Sequence, residues 1–200
     1  IRDGELRAPD ELENRISDQA YLQRVFPGGV LVFDAQNTAV AESTFVPGRL
    51  GTNYADRPHF QRLQSSGEPV VSDPIIGRTT DVPLLSFLVP LHHDGEMLGS
   101  VGGIIKLNDE SIIPARSAGS DIQTATLSFI LDAQSQLYIE SPTSDPDGAL
   151  QALPAEGENA LVDAILSQSE GSTVVTHEGQ KYLLATDQVD ELNWVFARAI

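Results

Sequence analysis

Cysteine is absent from this 200-residue chain, which excludes structural disulfides, thiolate catalysis and Cys-ligated zinc. Lysine is nearly absent too: two Lys and ten Arg stand against 29 acidic residues, for a formal charge of −17. A field of that sign repels nucleic-acid phosphates and anionic lipid headgroups over most of the surface, although it leaves room for a local basic pocket. No apolar run approaches the ~20 residues that span a bilayer. The chain opens at Ile1 rather than Met and closes at Ile200 directly after a strand-like run. It reads as a piece of a longer protein, so the lack of a membrane segment or leader says little about the parent.

What is present is 40% apolar residues, enough for ordinary cores in one large domain or two small ones. The chain also repeats itself. Residues 30–43, beginning Val-Leu-Val-Phe-Asp-Ala-Gln-Asn, return 98 positions later as Ser-Phe-Ile-Leu-Asp-Ala-Gln-Ser at the start of residues 128–141. Between residues 33–43 and 131–141, five of eleven positions are identical: Asp, Ala, Gln, Glu and Ser. Each copy has an apolar run, a polar break and a second β-prone run, which predicts a strand–turn–strand unit. Recurrence on this scale predicts two copies of one module.

The remaining elements fit that duplication. Pro9 and Asp10 followed by Glu11 and Glu13 form a helix-start signal, and Leu12, Ile16 and Ala20 recur at helical spacing. One helix is predicted over residues 9–26, roughly 25 Å long at 1.5 Å per residue, stopped by Pro27-Gly28-Gly29. The apolar run of residues 30–33 lacks alternation, as in a central strand covered on both faces. Residues 48–53 read as a loop. Pro58 pushes Arg57 out of the helical region and suits the first position of a short helix over residues 58–64. Strands follow at residues 69–76, 83–91 and 97–107, the last two joined by a hairpin at Asp94-Gly95. Residues 108–121 turn polar and mark the boundary. The second half repeats the order: two strands over 126–141, a loop over 144–158, a helix over 159–168, and strands at 172–176, 181–187 and 193–200.

A five-stranded antiparallel sheet with a helix after its first hairpin resembles the PAS-like architecture. Two in tandem behind a long N-terminal helix resemble the double Cache sensor domains of bacterial and archaeal receptors. The stretch from Tyr54 to Phe60, containing Arg57-Pro58-His59, resembles that family's Arg-Pro-aromatic motif. Val71-Ser72-Asp73-Pro74 is similar to its Ser-x-Pro strand, and residues 95–104 to its last hairpin. The resemblance covers essentially the whole chain. It implies an α+β fold of two tandem PAS-like modules: an N-terminal helix over 1–28, a membrane-distal ligand-binding module over 29–112, and a membrane-proximal transmitting module over 113–200. It also implies a periplasmic or extracellular portion of an inner-membrane receptor: a histidine kinase, chemoreceptor or diguanylate cyclase. No enzymatic activity, cofactor or nucleic-acid partner is expected; a small-molecule ligand and a homodimer are.

The chemistry gathers in the first module. Arg57, beside the free N–H groups of the helix that Pro58 opens, is the leading ligand contact, because helix N-termini favour anions and a guanidinium grips a carboxylate bidentately. His59 adds a titratable donor, while Tyr54 and Phe60 offer a polar tip and an apolar wall. The competing reading is local: Arg57 pairs with Asp56 or a backbone carbonyl, and Phe60 is core. By the resemblance, Asp73 stands where amino-acid sensors place a carboxylate that meets the ligand's ammonium. Those sensors carry a second acid near the position of Gly103-Ile104, and it is missing here. A Trp usual after Arg-Pro is His59. A small mono- or dicarboxylate is therefore preferred over an amino acid. Ser72, Ser86 and Ser100 are possible wall positions, or simply solvent-facing strand residues.

Other motifs carry less. His92 and His93 are adjacent on a strand and point to opposite faces, so they do not read as one metal site. Gly99, Gly102 and Gly103 fit no phosphate loop or nucleophile elbow, and read as a bulge or as close backbone approach to a ligand. Trp194 and Phe196 read as packing. Glu158-Asn159 stands where the second module would need its own Arg-Pro-aromatic motif. The alternatives to a carboxylate sensor are an amino-acid sensor, a ligand-free dimerisation scaffold using the N-terminal helix, and, last, a hydrolase.

Overall fold

The computed structural model describes residues 9–107, 126–141 and 150–200. The chain divides into two compact units, the first ending at Lys106 and the second beginning at Leu107. The expected module edge at 112/113 lies outside the described residues, as does the whole polar stretch of residues 108–121 that suggested it. The class is α+β, with two antiparallel sheets and few helices.

The first unit opens with two short helices rather than one long one: α1 (Pro9–Ser17) and α2 (Ala20–Val25). The expected helix over 9–26 breaks at Gln19, whose ψ of 76° is not helical. Ser17 and Asp18 are poor interior helix formers because their side chains compete for backbone groups. The carbonyl left open at Ser17 is taken by the Gln23 side-chain amide at 2.9 Å. Periodicity still identified the inward face. Leu12 and Ile16 are buried against Val32 and Ala41 of β1 (Val30–Asp34) and β2 (Ala39–Glu42).

The other strands are β3 (Val70–Val71), β4 (Ile75–Ile76), β5 (Pro83–His93) and β6 (Glu96–Lys106). They join in the order β2-β1-β6-β5-β3, with β4 also on β5, giving six strands where five were expected. The extra strand is the predicted 69–76 run split at Ser72-Asp73-Pro74, since Pro74 has no N–H to give a ladder. β1 is central and buried on both faces, as its unalternating sequence predicted. Its Val32 face meets α1. Its Leu31 and Phe33 face packs against Phe60 and Leu63 of α3 (Pro58–Ser66).

The second unit orders its strands β10-β11-β12-β7-β8-β9. These are β7 (Leu127–Asp132), β8 (Leu137–Ser141), β9 (Gln151–Ala152), β10 (Gly171–His177), β11 (Gln180–Val189) and β12 (Trp194–Ala199). The short β9 falls within the predicted 144–158 loop. Helix α4 (Ala160–Ser167) buries Leu161, Val162 and Ile165 on this sheet. Asn159 caps it by accepting hydrogen bonds from the Leu161 and Val162 amides, which satisfies donors that the first turn leaves open.

The repeated peptide is one device built twice. Asp34 Oδ1 accepts from the Gln36 and Thr38 amides. Asp132 Oδ1 accepts from the Gln134 and Ser135 amides. In both turns a carboxylate holds the reversing backbone, and a positive φ follows, at Asn37 (62°) and Gln136 (57°).

Candidate ligand-binding cavity

Helix α3 starts where it does because Pro58 supplies a helical φ and needs no N–H partner. Arg57 is its extended N-cap (φ −75°, ψ 133°) and makes no side-chain capping bond, which leaves the guanidinium free to reach elsewhere. Its Nη2 donates to the Ile76 carbonyl at 3.3 Å. Behind it stands an aromatic wall. Tyr54 stacks on Phe60 with centroids 5.7 Å apart, and both meet Phe33 edge-on, at 5.5 and 4.8 Å. Offset and edge-on contacts match each negative ring face to a positive edge.

The segment between β4 and β5 closes the other side. Gly77 donates to the Val82 carbonyl and accepts from the Asp81 amide. A Cβ at Gly77 would meet Thr80 Oγ1 and Leu84 Cδ2, so any larger residue here has to push those side chains aside. The turn sets Arg78 over the Tyr54 ring, 5.4 Å from the centroid, a cation–π geometry. Arg78 Nη1 also donates to the Asn53 carbonyl at 2.6 Å, and Nη2 pairs with Asp56. That ion pair holds the Asp56 carboxyl below its usual range.

Between these walls lies a cavity of about 50 Å³, against the ~10–15 Å³ that one water requires. Apolar side chains of Leu31, Phe33, Phe60, Ile75, Leu84 and Ile104 form most of it; Arg49, Arg57, Arg78, His59, Tyr54, Ser86, Thr79 and Thr80 supply the polar groups. Among the described residues, the lining contains no Asp or Glu. In a chain of charge −17, that is a reversal of sign at one place. Burial, reinforced by Arg62 and Arg57, pushes the His59 pKa down to about 4. Near neutral pH its ring is therefore an uncharged donor–acceptor rather than the titrating group the sequence suggested. Thr80 Oγ1 is buried without a partner among the described residues.

Solved structures share this fold. The ligand-binding domain of the Pseudomonas aeruginosa amino-acid chemoreceptor PctB, solved with L-glutamine, gives a TM-score of 0.60 at 15% identity, over 97% of this chain and 75% of its own. The ligand-binding domain of the Pseudomonas fluorescens chemoreceptor CtaA, solved with L-serine, gives 0.56 at 17%, over 98% and 87%. The extracellular domain of a putative histidine kinase gives 0.59 at 17%, over 98% and 85%. The fold is that of receptor sensor domains. At the level of fold, the Cache resemblance holds. No family model and no curated protein matches the chain.

Within this sensor fold the residues singled out from sequence separate into two groups. Tyr54, Arg57, His59, Phe60 and Ser86 all line the cavity. Asp73 does not: its Oδ2 takes a hydrogen bond from Arg62 Nη1 at 3.1 Å on the exposed side of α3. Ser100 is fully buried opposite Phe33, outside the lining, and its Oγ has no partner among the described residues. Ser72 spends its hydroxyl on the Ser86 amide at 2.9 Å, bridging β5 to the split strand. Sequence reasoning missed Arg49 and Arg78. Both lie in segments read only as connections, where a lone cation among Gly and Thr gives no periodicity to detect. Of the glycines of β6, Gly102 lies under the Phe33 ring and Gly103 under the Phe26 ring, while Gly99 lies against the Phe33 backbone. His93 and Asp94 are 3.5 Å apart at an exposed hairpin tip, and no group of three metal-ligating side chains occurs among the described residues.

Proposed function

We propose that this chain is the ligand-sensing, non-enzymatic extracytoplasmic part of a transmembrane receptor, built as two tandem PAS-like modules. The first module takes a small organic carboxylate. The observation that carries this reading is the cavity lined by Arg49, Arg57 and Arg78 with no carboxylate facing it among the described residues. Arg78 and Arg49 are each backed by a carboxylate outside the lining, Asp56 and Glu42, and guanidinium donors that line a cavity suit a carboxylate guest. Apolar walls between them suit a carbon skeleton. The second module, whose helix start carries Asn159 as a local cap, transmits. A ligand with unequal affinity for two arrangements of the first module biases the parent's membrane segments. Among the described residues no helix is long and apolar enough to cross a membrane.

An amino acid is the second reading, favoured by structural neighbours solved with L-glutamine and L-serine. Against it stands the lack of an acid for the ammonium, since Asp73 is engaged by Arg62 outside the cavity. A dimerisation role for the N-terminal helix through Leu12 fits poorly, because Leu12 is buried on the chain's own sheet.

Thermal shift and calorimetry against carboxylates and amino acids test the proposal. A carboxylate is expected to bind, with Arg57→Ala and Arg78→Ala each weakening it about ten- to hundredfold, the range of a lost charged hydrogen bond. A hit that keeps its affinity in both variants would overturn the site assignment.

A further inference from the structure

The arginines that line the cavity occupy different depths. Arg57 and Arg78 stand at its rim; the Arg78 side chain is 31% exposed. Arg49 stands inside, with its side chain only 4% exposed. A guanidinium carries five N–H donors and does not give up its proton. Among the described residues, Arg49 finds one long hydrogen bond, from Nη1 to the Gly28 carbonyl at 3.4 Å. The nearest carboxylate oxygen, Glu42 Oε2, is 3.6 Å away, outside hydrogen-bonding distance. That oxygen is itself without a hydrogen-bond partner among the described residues, while Oε1 accepts from the Val46 amide at 3.1 Å. Arg49 is therefore ion-paired with Glu42 yet keeps N–H donors without a hydrogen bond, and none of its nitrogens is sealed off without a partner among the described residues, as fits donors that open onto the cavity it lines.

Between the inner and outer cations the wall is apolar. The Tyr54 ring carries Arg78 on its face, and Arg49 lines the same cavity. Phe33 and Ile104 continue the lining. Arginine donors at two depths, each backed by a carboxylate outside the lining (Asp56 behind Arg78, Glu42 behind Arg49) and divided by hydrocarbon, match a molecule with two carboxylates divided by methylenes. A compact dianion such as phosphate would place both charges at one end and leave the other unmet.

We infer that the first-unit cavity is a dicarboxylate site in which Arg57 and Arg78 hold one carboxylate at the rim and Arg49 holds the second inside. This rests on the carboxylate reading above and adds to it the number and spacing of charges. Arg49 is then the residue that determines specificity, with Glu42 setting its position.

The test compares succinate, butyrate and inorganic phosphate by isothermal titration calorimetry on the same chain. Succinate and butyrate have equal carbon number, so they differ by the second carboxylate alone. Succinate is expected to bind at least about tenfold more tightly, as one more charge-assisted hydrogen bond implies. Because removing Arg49 alone would strand Glu42, the variant is the double change Glu42→Gln with Arg49→Met, checked for folding by circular dichroism. The ratio of succinate to butyrate affinity should collapse toward one. Arg49→Lys, which keeps the charge beside Glu42 but loses the planar fork, should reduce the ratio partway. Equal binding of succinate and butyrate by the native chain would overturn the two-ended site while leaving a carboxylate site standing. So would a preference that survives the double variant. Phosphate binding more tightly than either would overturn the spacing. If no carboxylate binds, the carboxylate reading itself fails, and this inference with it.

Discussion

His59 shows how a single buried group makes stability depend on pH. In the folded chain its pKa is about 4, against an ordinary 6.5. Between those values the unfolded chain holds more protons, so acid favours unfolding. The contribution is fully present above pH 6.5 and is lost as pH falls to about 4, an effect of up to about 3 kcal/mol. Urea titrations across that window should show the midpoint falling steeply, and His59→Leu should flatten the fall relative to the native chain. An unchanged pH profile in the variant would mean that other groups carry the dependence. The neighbouring pair Arg62–Asp73 needs no such test. Both partners are about half exposed, and exposed pairs contribute little.

At the scale of elements, β6 is where glycine matters most. A Cβ on Gly103 would stand 2.5 Å from the Phe26 ring, and that ring, 5.6 Å from Phe87, brings the segment after α2 onto the sheet. Gly103→Ala should destabilise the first unit by about 1–3 kcal/mol through overpacking, read as a lower denaturant midpoint. Phe26→Ala in the same chain should recover part of that loss, since it vacates the colliding ring. The glycines were visible in the sequence and their partner was not, because Phe26 is 77 positions away and contact across that gap follows from topology. The repeated Asp-Ala-Gln turn was legible for the opposite reason: Asp34 and Asp132 act on amides two to four residues ahead, so the chemistry is local. Pro58 likewise announced α3, and with it Arg57, His59 and Phe60. Arg49 and Arg78 reach the cavity from connecting segments whose course is decided by tertiary packing. Asp73 sits in the break that Pro74 makes between β3 and β4, and there it is drawn to Arg62. The helix expected over 9–26 had the correct apolar stripe, and Ser17-Asp18-Gln19 broke it where side chains compete with the backbone.

The whole molecule has two units with separate buried clusters, one around Phe33 and Phe60 and the other around Phe129 and Leu161. Differential scanning calorimetry should therefore resolve two transitions. A bound carboxylate should raise only that of the first unit, by about 2.7 kcal/mol at a hundred times Kd. A ligand that moved both equally would show that the units unfold as one. The cavity's sign reversal has a further consequence, in time rather than in energy. An incoming anion first meets the field of a chain carrying −17, and meets the arginines only within the last few ångströms. Salt shortens the reach of the outer field, with a Debye length of ~8 Å at physiological ionic strength, but screens contacts inside the cavity far less. Added salt should accordingly speed the capture of an anionic ligand, whereas it slows most charge-steered encounters. Stopped-flow association rates measured against ionic strength would show it; a rate that falls with salt would mean the cavity's positive field extends past its rim. A carboxylate site arranged this way would fill fastest in media where ions are plentiful, at a rate set by the surface around the cavity rather than by the groups that do the binding.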